Sequence, residues 1–284
     1  MRGTAGRILL VGCFAVSALT LSASGAAAET PTIGQTGVPN TSCSVGDWAG
    51  FSVSSGAQYF PPAVPGVLNW TIDSWSTYAS PAAGQRMKLK VYSSGSTYRV
   101  LAQDVPRTLT PGVLNTFATN INVTTQYGSF LLGMTTLTPG IGCAFGPMGE
   151  SFLVSPGTDT ATGDVVNFSN DSGERLNISA QVEPTNTFSL GAITLNKRRG
   201  NATLVVNNLP NQGVLNVSGK GVKSTGAIIG TVLPATATLV IRAKGRKRTT
   251  LNQTGKVTLR PNITFTPLDG SARSTSAKVK LKKL

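Results

Sequence analysis

The carboxylates are the first residues to weigh for chemistry in this chain, because a glycosidase or lyase can work without histidine. The sequence contains no histidine. That excludes Ser-His-Asp and Cys-His nucleophiles, histidine metal ligands and histidine pH switching. No Ser stands three residues before a Lys, so the Ser-x-x-Lys arrangement is absent too. Paired Asp or Glu can still act as acid and base, or as acid and nucleophile, on a glycosidic bond. The acid best placed for this is Asp73, within Trp70-Thr71-Ile72-Asp73-Ser74-Trp75. Indole rings on both sides of it would suit stacking on a sugar, so Trp70, Asp73 and Trp75 are the carbohydrate-binding candidates. The plainer reading is a strand with Trp70 and Ile72 inward and Thr71 and Asp73 outward.

A second group, Asp159, Asp164, Asn167, Asn170, Asp171 and Glu174, carries the oxygen ligands that Ca²⁺ takes. Its spacing fits no EF-hand loop, and Asp171-Ser172-Gly173 has turn chemistry that needs no ion. No metal and no cofactor are therefore expected.

The cations form the other constellation. Residues 239–250 read L-V-I-R-A-K-G-R-K-R-T-T, with Arg242, Lys244, Arg246, Lys247 and Arg248 close together. Further on, Lys256, Arg260, Lys278, Lys280 and Lys282 alternate with apolar residues. Period two places Leu239, Ile241 and Ala243 opposite Arg242 and Lys244. It likewise places Val257 and Leu259 opposite Lys256 and Arg260, and Val279 and Leu281 opposite Lys278, Lys280 and Lys282. If these strands share a sheet, their charges form a stripe. Gly245-Arg246-Lys247-Arg248 reads as an exposed loop beyond the first strand. Such cations can simply solubilise a sandwich and blunt its edges, or they can hold a polyanion. Sequence-specific nucleic-acid binding is not expected: no recognition helix is evident, and almost no aromatics are interleaved for base stacking.

Charge divides the chain. Residues 29–183 hold six Lys/Arg and ten Asp/Glu, a net of −4, whereas residues 184–284 hold 17 Lys/Arg and one acid, Asp269, a net of +16. The change falls at Glu183-Pro184-Thr185-Asn186. All three Trp and all five Tyr lie before it. Residues 1–28 read as an export signal: Arg2 and Arg7, an apolar stretch from Ile8 to Leu21, then the small-residue run ending at Ala28. No other segment is apolar over the ~18–20 residues that a membrane span needs, so no span is expected. Cys13 falls within the signal. Cys43 and Cys143 remain, an even pair in an oxidising compartment, and one disulfide is the natural reading.

These residues must be positioned by strands. Gly, Pro, Asn, Ser and Thr punctuate the chain, with short alternating runs of Val, Ile, Thr and Phe between them. Met87, Leu89 and Val91 alternate with Lys88 and Lys90, which predicts a strand with one apolar face in and its lysines in solvent. The expectation is an all-β chain: a jelly-roll-like β-sandwich over 29–183, then a basic immunoglobulin-like β-sandwich over 184–284, with no convincing helix. The layout, with segments such as "GQRMKLKVYSSGSTYRVLAQD" (84–104), "TLTPGVLNTFATNINV" (108–123) and "LNKRRGNATLVV" (195–206), resembles secreted two-domain β-sandwich proteins of high-GC Gram-positive bacteria. The resemblance implies export and a pair of sandwiches, and carries no catalytic motif.

The functional expectation is an exported, non-enzymatic binding protein, extracellular or at the cell surface. Its basic domain would associate with an anionic wall polymer or polysaccharide. The alternatives are a carbohydrate-active enzyme in the first sandwich and a purely structural or adhesive surface component.

Overall fold

The computed structural model describes residues 30–52, 58–126, 128–146, 151–172, 174–230 and 234–284. The expected export segment, 1–28, lies outside the described residues. The described chain is all-β apart from one helix, Arg246–Thr254.

In the first half, two antiparallel sheets face each other. One runs in the order Thr32–Gln35, Ile178–Pro184, Asn69–Tyr78, Leu114–Thr124. The other is centred on Arg86–Ser93, Phe130–Thr136 and Gly46–Ser52, with Tyr98–Gln103 and Ser151–Pro156 outside them. Trp70, Trp75, Met87, Leu89, Val91 and Met134 fill the space between the sheets. A small third sheet pairs Thr41–Cys43 with Ile141–Phe145. Across it runs the Cys43–Cys143 disulfide, with Cα atoms 5.7 Å apart and 100 residues between the cysteines. Closing a loop of that size constrains the unfolded chain by about 4–5 kcal/mol in the loop-entropy picture.

The second half has its own core, in which Leu204, Val206, Leu215, Ile241, Ile263, Phe265 and Val279 are buried. Three strands, Ser189–Asn196, Asn201–Leu209 and Ala235–Arg242, form one layer. Thr225–Ile229, Gly213–Ser218, Asn262–Pro267 and Arg273–Ser276 form the other. Lys256–Leu259 and Val279–Lys282 make a separate two-stranded ladder. The two cores meet at Asn211, which is fully buried. Its Oδ1 accepts from the Leu68 and Asn69 amides at 2.9 Å each. Its Nδ2 donates to the Asn69 carbonyl at 2.7 Å and the Thr185 carbonyl at 3.0 Å. A side-chain amide fits here because it satisfies two N–H donors and two carbonyls at once.

Two expectations are corrected at this level. The lysines of Met87-Lys88-Leu89-Lys90-Val91 do not face solvent: Lys88 is 8% exposed and Lys90 0%. The sheet is covered on both faces. A second cluster, with Tyr92, Val100, Leu131 and Val166, packs on the side where Lys88 and Lys90 lie. Lys90 Nζ is held by Asp47 Oδ1 at 2.7 Å, Asp159 Oδ1 at 3.0 Å and the Thr160 carbonyl at 2.7 Å. Asp47 in turn accepts from the Thr135 hydroxyl at 2.6 Å and the Thr160 amide at 2.9 Å. A buried charge persists only when it is paired and hydrogen-bonded in this way.

The second correction concerns the basic run. The strand closes at Arg242, and Gly245, with φ 53°, turns the chain into the helix Arg246–Thr254 instead of a loop. Arg, Lys, Leu and Gln are good helix formers. Only Leu251 of that segment is buried, so no apolar periodicity marked it.

Candidate anion-binding surface

The carbohydrate candidates do not assemble a platform. Strand Asn69–Tyr78 changes register between Ile72 and Ser74. The irregularity at Asp73 resets the alternation, so Trp70 and Trp75, five positions apart, both turn inward. Each is 0% exposed. Trp70 Nε1 donates to the Gly128 carbonyl at 3.0 Å, and Trp75 Nε1 to Asp104 Oδ2 at 2.8 Å. The Trp75 ring lies 4.6 Å from that of Phe117. Neither indole offers a face to a sugar, and both indoles belong to the core. Thr71, read as outward, is also buried, with its hydroxyl 2.9 Å from that of Thr185.

Asp73 is half-buried. Burial, and then the neighbouring Glu183 carboxylate, push its carboxyl above the usual range. Glu183 Oε2 accepts from Ser271 Oγ at 2.6 Å. Of the acid-and-amide group, Asp159 is taken by Lys88 at 2.7 Å and by Lys90. Its partial burial would raise its carboxyl, but the hydrogen bonds and charges of the two lysines outweigh that and hold it low. Among the described residues, no three Cys, Asp or Glu gather as a metal cage.

The cations of the second half are arranged differently. Among the described residues, no ion pair joins any of them to a carboxylate; the four ion-pair contacts found all lie in the first half. The expected stripe resolves into separate groups, because Ala235–Arg242 pairs with Asn201–Leu209 and not with the Lys-rich ladder. On the ladder, Lys256 stands directly across from Lys282, and Thr258 across from Lys280. All three lysines are exposed above a buried face of Val257, Leu259, Val279 and Leu281. Arg260 and Lys278 are exposed just beyond the paired ends.

The densest group surrounds a cavity of about 470 Å³. Arg199 comes from the turn between Ser189–Asn196 and Asn201–Leu209, where Asn196 Oδ1 accepts from its amide at 3.0 Å. Arg242 ends its strand directly across from Asn201. The Lys223 amide donates to the Arg242 carbonyl at 2.8 Å, which brings Lys223 alongside. Arg248 projects from the helix. Lys283 Nζ donates to Asn252 Oδ1 at 2.7 Å. Gly200, at φ +63°, lets these elements close: a Cβ there would come within 3.1 Å of Leu251 and 3.2 Å of Lys283. Lys244, Arg246 and Lys247, with Lys220, line a second cavity of about 480 Å³ on the other side of the helix start.

In comparisons with known proteins, no family model, no curated protein and no solved structure matches the chain.

Sequence reasoning picked out Arg242 and Arg248 but missed Arg199, Lys223 and Lys283. These three lie well away from the dense run in sequence, two before it and one after, and only the folded turns bring them together. The run Lys197-Arg198-Arg199-Gly200 was the available signal, since basic residues followed by a turn glycine mark a strand connection rich in charge.

The helix sharpens the electrostatics. Its first turn holds Arg246, Lys247 and Arg248 and no acid, and Gly245 provides no side-chain cap. Cations at that end oppose the helix dipole, whose positive pole lies there. The local arrangement thus works against helix stability.

Proposed function

We propose that this is an exported, non-enzymatic binding protein whose second sandwich holds an anionic polymer outside the cell, of the wall-polymer or acidic-polysaccharide kind. The observation that carries this is the cavity rimmed by Arg199, Lys223, Arg242, Arg248 and Lys283, with no Asp or Glu among its lining residues. Holding like charges together without acids is unfavourable, and a bound polyanion relieves it. The +16 balance of residues 184–284 against −4 for 29–183 supports the same reading, as does the signal-like segment at 1–28. Export would bring the basic face to extracellular polyanions. In this reading the first sandwich is a disulfide-tied body that presents the second. No helix among the described residues is long and apolar enough to cross a membrane.

The test is retention of the whole protein on an immobilised anionic wall polymer across a salt series. Retention is expected at low salt and should fall as salt rises, because exposed charges are screened over about 10 Å at 0.1 M salt. Retention that ignores salt, or none at low salt, would overturn the proposal.

A further inference from the structure

The geometry points to a discrete site within that basic surface: the cavity between the 197–200 turn and the helix takes a multiply charged phosphate group displayed on the polymer. This rests on the polyanion reading and narrows it to one place and one chemistry.

Arg199, Arg242 and Arg248 come from a turn, a strand end and a helix, and Lys223 and Lys283 complete the rim. A guanidinium presents a planar fork that meets two oxygens of one oxyanion, whereas an ammonium acts as a point charge. Three forks from three directions suit a group with oxygens on several sides. A phosphate monoester offers three acceptor oxygens and a charge of about −1.5 to −2 at neutral pH. A carboxylate offers two oxygens and a single charge. Five cations around one cavity are balanced by a few phosphates, and only by a larger number of carboxylates. The volume, about 470 Å³, falls within the range of small-ligand sites and leaves room for linked phosphates.

The floor matters as much as the rim. Leu251 is 3% exposed, Ala243 8%, and Gly200 is buried beneath the cations. An apolar floor lowers the local dielectric and strengthens each charge contact. The rim is also fixed in place: the Lys283 amide donates to the Gly255 carbonyl at 2.8 Å while its Nζ is held by Asn252. The Lys256–Lys282 ladder presents its lysines along an exposed strand face, so it adds charge without three guanidinium forks converging on one group.

The experiment titrates the whole protein with tripolyphosphate by calorimetry, with citrate as the tricarboxylate control. One-to-one binding is expected. Arg242→Ala/Arg248→Ala should weaken it by at least about tenfold, as expected when charge-assisted bidentate contacts are lost. Lys280→Ala/Lys282→Ala, on the ladder, should leave it within about twofold, as screened surface charges do. All four positions are exposed, and circular dichroism checks that each variant is folded. Arg242→Lys should restore only part of the loss, because charge returns without the fork. Equal losses from both double variants, or several equivalent sites, would overturn the discrete site while leaving polymer retention intact. Citrate binding as tight as tripolyphosphate would overturn the phosphate class. A protein that binds tripolyphosphate one-to-one but is not retained on polymer would keep the site and sink the broader reading beneath it.

Discussion

Met87-Lys88-Leu89-Lys90-Val91 and Val279-Lys280-Leu281-Lys282 are nearly the same phrase, and the fold uses them in opposite ways. In the first, Lys88 and Lys90 are buried and bonded to Asp47 and Asp159. In the second, Lys280 and Lys282 are exposed and Lys282 faces another lysine, Lys256. The alternation is identical, so period two fixes only which residues share a side. What lies on that side depends on layers. Arg86–Ser93 is flanked by strands on both edges and covered on both faces. Val279–Lys282 has one hydrogen-bonded neighbour and one open face. Acids follow the same division: they accompany the lysines that are covered and are missing where lysines meet water. The lysines of the first phrase are internal structure, and those of the second are surface.

The comparison is broken most forcefully by removing an acid from the covered side. Asp47→Ala leaves Lys90, at 0% exposure, without its closest carboxylate. Loss of one partner from a buried pair costs about 3–5 kcal/mol. Chemical denaturation followed by tryptophan fluorescence reads this directly, since all three Trp lie in the first half. The double change Asp47→Leu/Lys90→Met should recover much of the loss, because an apolar pair of similar volume removes both desolvation costs. If Asp47→Ala is neutral, the pair is not the internal tie described here.

A smaller effect separates the halves by pH. Partial burial would raise the Asp104 carboxyl, but hydrogen bonds from Arg107, Trp75 and the Val105 amide, with the Arg107 charge, outweigh it and hold the group low. Asp159 is held low by Lys88 and Lys90 in the same way. A carboxyl lowered by folding contributes stability above its unfolded value, about 3.9, and that stability is lost as pH falls through the folded value. Asp73, raised by burial and by Glu183, runs the other way and offsets part of the loss. The first sandwich should therefore weaken below about pH 4. The second holds a single acid, Asp269, so it offers few carboxylates through which such a decline could act. Hydrogen exchange from pH 5 to pH 2.5, resolved by residue, compares them. Asp104→Asn should flatten the decline in the first half. An equal decline in both halves would contradict the division.

The sequence made much of this legible, and its failures have one cause. The strand Arg86–Ser93 follows from its alternation, though not the side its lysines face, and the Cys43–Cys143 bridge follows from two cysteines with an export-like segment ahead of them. Thr32–Gln35, Thr41–Cys43 and Arg273–Ser276 escaped because they are three or four residues long and mostly polar. The inward turn of Trp75 escaped because one irregular residue, Asp73, resets parity without any mark in composition. The cavity rim escaped because Arg199, Lys223 and Lys283 meet Arg242 only through turns and a helix that packs by the single residue Leu251. Local pattern shows which residues share a side; it does not show how many layers lie over that side.

The smallest expected effect has the sign opposite to the first and is for that reason the sharper probe. Lys282 and Lys256 are directly paired across the ladder, and both are exposed. Like charges in that position repel, whereas opposite charges attract. Lys282→Glu replaces the repulsion with an attraction, so it should stabilise the protein slightly, by about 0.5 kcal/mol or less at low salt, with the gain fading as salt screens it. The same change lowers the charge of the surface proposed to hold the polymer by two units and should shift polymer elution to lower salt. Stability and retention thus move in opposite directions for one substitution, which is the signature of charge kept for binding at the expense of folding. A variant that loses stability together with retention would mean that Lys282 supports the sandwich itself, and the contrast with Lys90 would fail at the position where it is most exposed to test.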